Sequence, residues 1–286
     1  MGEVRIVTDS CACIPEPLPG LHRIITVPYY VHIDGTAFRD MVDVRPGRFF
    51  EDLTRARTLP RTANPGPGDY LEAFRQAAAE GASAVVSVHM TSVGSGAYQS
   101  AMVAREMARE QLPNLAVEVV DTRNVAMCHG WVALEAARAC ERGADLSEVM
   151  DLIRRLLPRV RMIQTADTLR YLYMGGRIGR AQHLVGSLLN IKPLISMEDG
   201  VIVALGQARS RQAAYAAMVE KMLAEVGPGG RVKVAYLYAA ALDEVRRLRS
   251  IVERAIAPEE TLIAELTPAL GVHTGPGTVG ICYLRL

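Results

Sequence analysis

AVVSVHM (Ala84–Met90), TSVGSG (Thr91–Gly96), the helical stretch Ala97–Glu110 and AVEVVD (Ala116–Asp121), read in that order, decide the fold. The first piece is a strand-length, β-branched run. The second is a loop of small residues, the third a helix, the fourth another strand. Strand–loop–helix–strand is the unit of an α/β protein with a mostly parallel sheet. The pattern extends in both directions. Glu3–Thr8 (EVRIVT) reads as a short buried strand that ends at Asp9-Ser10. Ile24–Ile33 (IITVPYYVHI) is β-rich, and Asp34-Gly35 marks a turn after it. Arg61–Gly68 (RTANPGPG) reads as a loop, with a helix over Asp69–Ala79 behind it. A further helix runs from about Asn124 to Arg142.

After a helix over Leu146–Leu157, stopped by Pro158, the pattern changes. Short strands (Arg161–Thr165, Lys192–Met197, Val201–Leu205) flank an Arg/Gly-rich segment, and Asp199-Gly200 marks a hairpin turn. Arg209–Glu225 and Leu242–Ile256 have helical period, while Val232–Tyr238, Leu262–Leu266 and Val279–Arg285 read as strands. The expected organisation is a mostly parallel α/β/α domain over residues 1–158 and an α+β domain over 159–286.

Composition narrows the function. The 286 residues carry 32 Lys+Arg against 31 Asp+Glu, a formal net charge of +1, which lacks the basic surplus a general nucleic-acid binder needs. Half of the residues are apolar and 22% charged, which excludes disorder. One Trp and four Phe leave little for base-stacking platforms. No apolar run reaches the ~18 residues of a spanning helix, and no basic-then-apolar secretory leader opens the sequence. Cys11, Cys13, Cys128, Cys140 and Cys282 are odd in number and scattered, unlike a disulfide framework. A reducing cytoplasm is the expected compartment.

The motifs are individually modest. Gly275-Pro276-Gly277-Thr278-Val279-Gly280 is a literal GxGxxG, but only six residues follow it and they read as a strand. It therefore reads as a tight turn rather than a dinucleotide site. No Gly-Lys pair exists, so there is no P-loop. HExxH is absent, and Cys11-x-Cys13 lacks the second pair a zinc site needs, so neither metal nor cofactor is expected. Gly94-Ser95-Gly96 lacks the glycine spacing of a nucleophile elbow. Its place between a strand end and a helix start suits an anion equally well as plain N-capping. Thr62-Ala63-Asn64-Pro65 is a second hydroxyl-bearing loop before a helix. Two such loops in one α/β domain can converge on one carboxylate or phosphate beyond the carboxyl ends of the strands.

Taken together the segments resemble the DegV family over essentially the whole chain. The carrying residues are Val7-Thr8-Asp9-Ser10, Val27-Pro28, Asp34-Gly35 and Asp40, Thr62 through Asp69, and Ser95-Gly96 with Tyr98-Gln99-Ser100-Ala101. They continue with Val120-Asp121-Thr122, Leu172, Gly175-Gly176-Arg177-Ile178, Leu189-Asn190-Ile191-Lys192-Pro193, Asp199-Gly200, Arg209-Ser210-Arg211 and His273-Thr274-Gly275-Pro276-Gly277. The resemblance implies a two-domain protein that holds one long-chain fatty acid in a tunnel at the domain interface. It implies a non-catalytic, cytoplasmic, bacterial lipid-binding subunit of a fatty acid kinase, without stable membrane insertion. Such a subunit presents the carboxylate to a separate kinase for conversion to acyl-phosphate, which feeds phospholipid synthesis. Thr62, Ser95, Arg209 and His273 match the family's carboxylate-side positions, and Arg177 matches a position on the kinase-facing surface. The physics agrees, because a buried carboxylate needs hydrogen-bond donors and hydroxyls at helix starts supply them.

Four positions depart from the family pattern: Ala63, Gly66 and Ala97 replace hydroxyl residues, and Cys13 replaces an Asp. They put the hydrogen-bond set of the head group in question. Two other functions stay open at this point. One is a serine-dependent esterase with Ser95 as nucleophile and His273 as base; the other is a lipid-responsive regulator.

Overall fold

A computed structural model of the chain describes residues 3–18, 20–55, 58–185 and 191–286. Leu189 and Asn190 of the family pattern lie outside the described residues. The first half of the chain runs β1 (Glu3–Asp9), β2 (Ile24–Val27), β3 (Tyr30–Ile33), β4 (Thr36–Arg39), α1 (Pro46–Arg55) and β5 (Arg61–Ala63). It continues with α2 (Pro67–Ala79), β6 (Ala82–His89), α3 (Ala97–Gln111), β7 (Ala116–Asp121), α4 (Ala126–Glu141) and α5 (Leu146–Leu156). The second half runs β8 (Val160–Thr165), α6 (Arg170–Met174), β9 (Lys192–Glu198), β10 (Val201–Ala208) and α7 (Arg211–Val226). Then follow β11 (Val232–Tyr238), α8 (Leu242–Ala255), β12 (Glu260–Glu265), α9 (Pro268–Thr274) and β13 (Val279–Arg285).

The first sheet has the order β2-β1-β6-β7 and is parallel throughout. The chain leaves β1 for β2 on one side and returns to β6 on the other. The carboxyl ends of β1 and β6 therefore flank a topological switch point, where open α/β sheets bind ligands.

The β-rich run Ile24–Ile33 is not one strand. It breaks at Pro28-Tyr29: β2 stays in the parallel sheet, and β3 joins a small antiparallel sheet of order β4-β3-β5. Proline has no N–H for a ladder, so a turn-off at Pro28 costs little. Arg61–Ala63, read as loop from sequence, is the strand β5 of this sheet. Asp34 and Gly35 have φ of 46° and 84°, the left-handed pair that a tight hairpin requires.

The second sheet has the order β10-β9-β8-β13-β11-β12, antiparallel except where β11 meets β12. Asp199 and Gly200 turn β9 into β10 with φ of 52° and 81°. Helices α7 and α8 cover one face, packing Tyr215, Met218, Val245 and Leu248 on Val234, Tyr236 and Ile281.

Helix α4 covers the other face and also packs on β1 of the first sheet. Thirteen of its 16 residues are buried, as expected of a helix that is apolar on every side. Trp131 Nε1 donates to the Cys282 carbonyl of β13 at 3.1 Å. At its far end Arg138 grips Glu260 with two bonds of 2.7 and 2.6 Å, and Lys233 reaches Glu135 at 2.8 Å. One apolar core cluster runs through α4 from Ile6 and Val86 to Leu237 and Leu284.

The glycine-rich segment Gly275–Gly280 forms the turn after α9 and the first two residues of β13, with φ of 73° at Gly275 and 80° at Gly277. Helix α9 itself was not legible in the sequence. Among the described residues, no helix is long and apolar enough to cross a membrane.

Candidate functional site

A cavity of about 70 Å³ opens at the switch point, lined by Cys11 after β1, Met90, Gly94, Ser95 and Gly96 after β6, Tyr29 and Thr62. Asn64, Arg177 and the α9 residues Ala269, Leu270 and His273 close it. The two hydroxyl loops anticipated from sequence thus meet in one place, and the second half of the chain supplies the roof.

The polar groups pair in two short units. Thr62 Oγ1 and His273 Nε2 stand 2.9 Å apart. Tyr29 Oη and Ser95 Oγ stand 2.7 Å apart, and Ser95 Oγ also accepts the Ala97 N–H at 3.3 Å. Burial, and next the charge of Arg177, push His273 down to about 4, so the imidazole is neutral at physiological pH. Its Nδ1 is buried without a hydrogen-bond partner. The Arg177 guanidinium donates to the carbonyls of Gly175 at 2.7 Å and Gly94 at 3.4 Å, and it brings the positive charge at the cavity mouth. The N-terminus of α3, just beyond Ser95, adds its partial positive charge.

Glycines make this geometry possible. A Cβ on Gly175 would overlap His273 Nδ1 and lie 3.0 Å from the Tyr171 carbonyl. A Cβ on Gly275 would overlap the Tyr171 ring in turn. The Gly-Gly-Arg-Ile segment and α9 therefore interlock ring against glycine. Gly96 does the same for Asn64, whose Oδ1 would sit 2.9 Å from a Cβ there.

Behind the cavity, Asp40 ties three segments together. Its Oδ2 accepts Ser10 Oγ at 2.6 Å, its Oδ1 accepts the Ala269 N–H at the start of α9 at 3.0 Å, and Ser10 Oγ accepts the Tyr29 N–H at 3.1 Å. Burial pushes the Asp40 carboxyl up to about 6.

Of the residues singled out from sequence, Thr62, Ser95, His273 and Arg177 line this cavity. Arg209 does not. It is exposed after β10, the edge strand of the second sheet, just before Ser210 caps α7. Arg211, two residues on, turns inward to Asp167 and the Gly277 carbonyl, both at 2.7 Å. Thr91, in the same loop as Ser95, turns away from the cavity: its Oγ1 donates to the Gly200 carbonyl at 2.9 Å, hooking the loop onto the β9–β10 turn. The four departures from the family pattern are absent from the lining. Ala63 is on the face of β5 opposite Thr62, Gly66 caps α2, Ala97 is buried in α3, and Cys13 is buried at φ 53°.

Sequence reasoning missed Tyr29, Asn64 and Met90 as lining residues. Tyr29 lay inside an apparent strand, and only the preceding Pro28 hinted at a break.

Ser95 is bonded to a phenol and His273 to a threonine, so the serine–imidazole pair of an acyl-transfer enzyme is not formed here. A Ser–His–Asp array does exist elsewhere. Ser87 Oγ stands 2.7 Å from His89 Nε2, and His89 Nδ1 stands 3.3 Å from Asp9 Oδ2. All three are 0% exposed and none lines the cavity, so they form a polar strut in the core. Among the described residues no cluster of His, Cys, Asp and Glu is arranged to hold a metal.

A parallel sheet whose switch point carries a hydroxyl-and-imidazole cavity, roofed by α9 and the Gly-Gly-Arg-Ile segment, is the arrangement in which open α/β proteins bind small ligands. The family model described as "Uncharacterised protein, DegV family" matches residues 3–286, and the chain belongs to that family. It is similar to a DegV domain-containing protein of Streptomyces coelicolor, 34% identical over 279 residues and 97% of each chain. Among solved structures it is similar to a DegV family protein of Thermus thermophilus described by its fatty acid binding. That match has 33% identity, covers 99% of this chain and 100% of the other, and has a TM-score of 0.91. The fold is shared with the B3 protein of a Streptococcus pneumoniae fatty acid kinase, loaded with linoleic acid. That match has 20% identity, covers 99% of each chain and has a TM-score of 0.87.

Proposed function

We propose that the protein binds a long-chain fatty acid, with the carboxylate in the cavity formed by Thr62, Ser95 and His273 beneath Arg177. The observation that carries this reading is the cavity's chemistry. Neutral hydroxyl and imidazole groups, two already oriented by partners, converge with one arginine on a space sized for a head group. About 70 Å³ is well under the ~300–1,000 Å³ of a whole-ligand pocket. The tail then extends past the apolar side, where Met90, Ala269 and Leu270 stand, and α9 must part from Phe49 and Phe50 of α1 to admit it. The fatty-acid-binding relative from Thermus thermophilus, similar over the full chain, supports the ligand class.

In this reading the protein is a non-catalytic carrier. It presents the bound carboxylate to a separate kinase, and Arg177 belongs to the face the kinase meets. Support comes from the family resemblance, from the position of Arg177 at the cavity mouth, and from the kinase-system name of one fold neighbour. Residues 1–158 would supply the carboxylate-binding loops and residues 159–286 the closing half. Five free, buried cysteines fit a reducing cytoplasm.

Native mass spectrometry of protein purified from a bacterial host tests the carrier reading. A co-purified C14–C18 fatty acid, the range implied by the family, is the expected result. Protein that carries no lipid and takes none up overturns it.

A further inference from the structure

Tyr29 is 4% exposed, and its hydroxyl meets Ser95 Oγ at 2.7 Å. The direction of that bond follows from accounting for protons. If Ser95 donated to Tyr29, the phenolic proton would need another acceptor in a nearly closed site, and a buried donor without one is costly. With Tyr29 donating, the phenolic proton is satisfied, and the proton left over belongs to Ser95, a half-buried residue that lines the cavity. Burial and the nearby Asp9 charge keep the phenol protonated, well above its ordinary range. Ser95 Oγ then accepts two bonds, from Tyr29 and from the Ala97 N–H at 3.3 Å. A hydroxyl has two lone pairs and one proton. Both lone pairs are taken, so only the proton remains, and it faces the cavity.

We propose that Tyr29 is a positioning residue that makes Ser95 an obligate hydrogen-bond donor and so selects a carboxylate head group over a neutral one. The inference rests on the fatty-acid reading above. A fixed donor favours an anionic oxygen because charge-assisted bonds are about twice as strong as neutral ones. The Thr62–His273 pair has no such fixed polarity, since a neutral imidazole can donate or accept at Nε2. Of the two hydrogen-bonded pairs, the Ser95 side is therefore the one that selects for charge, in addition to the Arg177 charge at the cavity mouth.

The test is isothermal titration of delipidated protein with hexadecanoic acid and with hexadecan-1-ol. Four forms are compared: wild type, Tyr29→Phe, Ser95→Ala and the double variant. Phenylalanine keeps the ring in the core and leaves no buried group unpaired. Tyr29→Phe is expected to weaken the acid about tenfold and to change the alcohol less than twofold. In the Ser95→Ala background it should add nothing, because Tyr29 acts only through Ser95. Equal losses for both probes, or a further loss in the double variant, overturn the inference and leave Tyr29 a packing residue. Wild type that binds the acid, with Tyr29→Phe at the same affinity, also overturns the inference, but spares the fatty-acid reading. Wild type that takes neither probe overturns both.

Discussion

Replacing Gly175 by alanine tests the ring-against-glycine interlock with one methyl group. The added carbon overlaps His273 Nδ1 and comes within 3.1 Å of Cε1. The backbone offers little relief, because the Tyr171 carbonyl stands at 3.0 Å on the other side. The imidazole must retreat roughly 1 Å to restore an ordinary contact of ~3.5 Å. The Thr62–His273 bond, 2.9 Å in the structure, then stretches beyond hydrogen-bonding range. Losing that neutral bond is worth about 1 kcal/mol, and overpacking costs about 1–3 kcal/mol of stability. Fatty-acid affinity should fall about tenfold, read by titration with hexadecanoic acid, and thermal denaturation should register the overpacking. Gly176→Ala is the control. Its φ of 69° is strained for alanine but nothing lies within 4 Å of the new carbon. It should lose about 1–2 kcal/mol of stability through backbone strain and keep its affinity. Equal affinity loss in both variants, or none in Gly175→Ala, refutes the interlock as the device that sets His273.

Ser95→Ala should weaken fatty-acid binding by about 1.5–3 kcal/mol, the value of a hydrogen bond to a charged group, with the circular dichroism melt unchanged. Unchanged binding removes Ser95 from the site. Arg177→Ala should raise the His273 pKa from about 4, since a cationic neighbour that lowers it is gone; a proton–carbon NMR titration reads the shift. The same variant should slow kinase-dependent phosphorylation, and normal turnover removes Arg177 from the docking face. Asp40 and His273 oppose each other in acid. The raised Asp40 pKa means stability falls as pH climbs from about 4 to about 6; the lowered His273 pKa means stability falls as pH drops from 6.5 toward about 4. Each shift is worth about 3 kcal/mol, so they largely cancel in the wild type. Asp40→Asn should expose the His273 slope alone, seen as urea-unfolding stability that falls on acidification between pH 6.5 and 4; a flat profile contradicts the His273 assignment.

How much of this was legible beforehand varies by element. The parallel unit around Ala84–Asp121 was readable because strand-length apolar runs and helices alternate there. The turns Asp34-Gly35 and Asp199-Gly200 were readable because few residue pairs accept two consecutive left-handed conformations. Helix α9 was not, since Pro268–Thr274 is seven residues long and held by Asp40 and by packing on Phe49 and Phe50 rather than by its own periodicity. The site was half legible. Thr62 and Ser95 announce themselves as hydroxyls in short polar segments that precede helices, and His273 and Arg177 came from the family pattern. Their pairing depends on Tyr29, Gly175 and Asp40, whose roles arise from contacts across more than 60 residues of sequence. Arg209 matched the pattern by residue type, yet the edge position of β10 carries it elsewhere.

Helix α4 gives the molecule an unequal inheritance. It is encoded before Pro158, yet Trp131 and Arg138 find their partners at Cys282 and Glu260, more than 100 residues later. A ribosome that has released only the first half therefore exposes an apolar helix whose other wall has not been made. Expressed alone, residues 1–158 should aggregate, and should become soluble when residues 159–286 are supplied on a second chain.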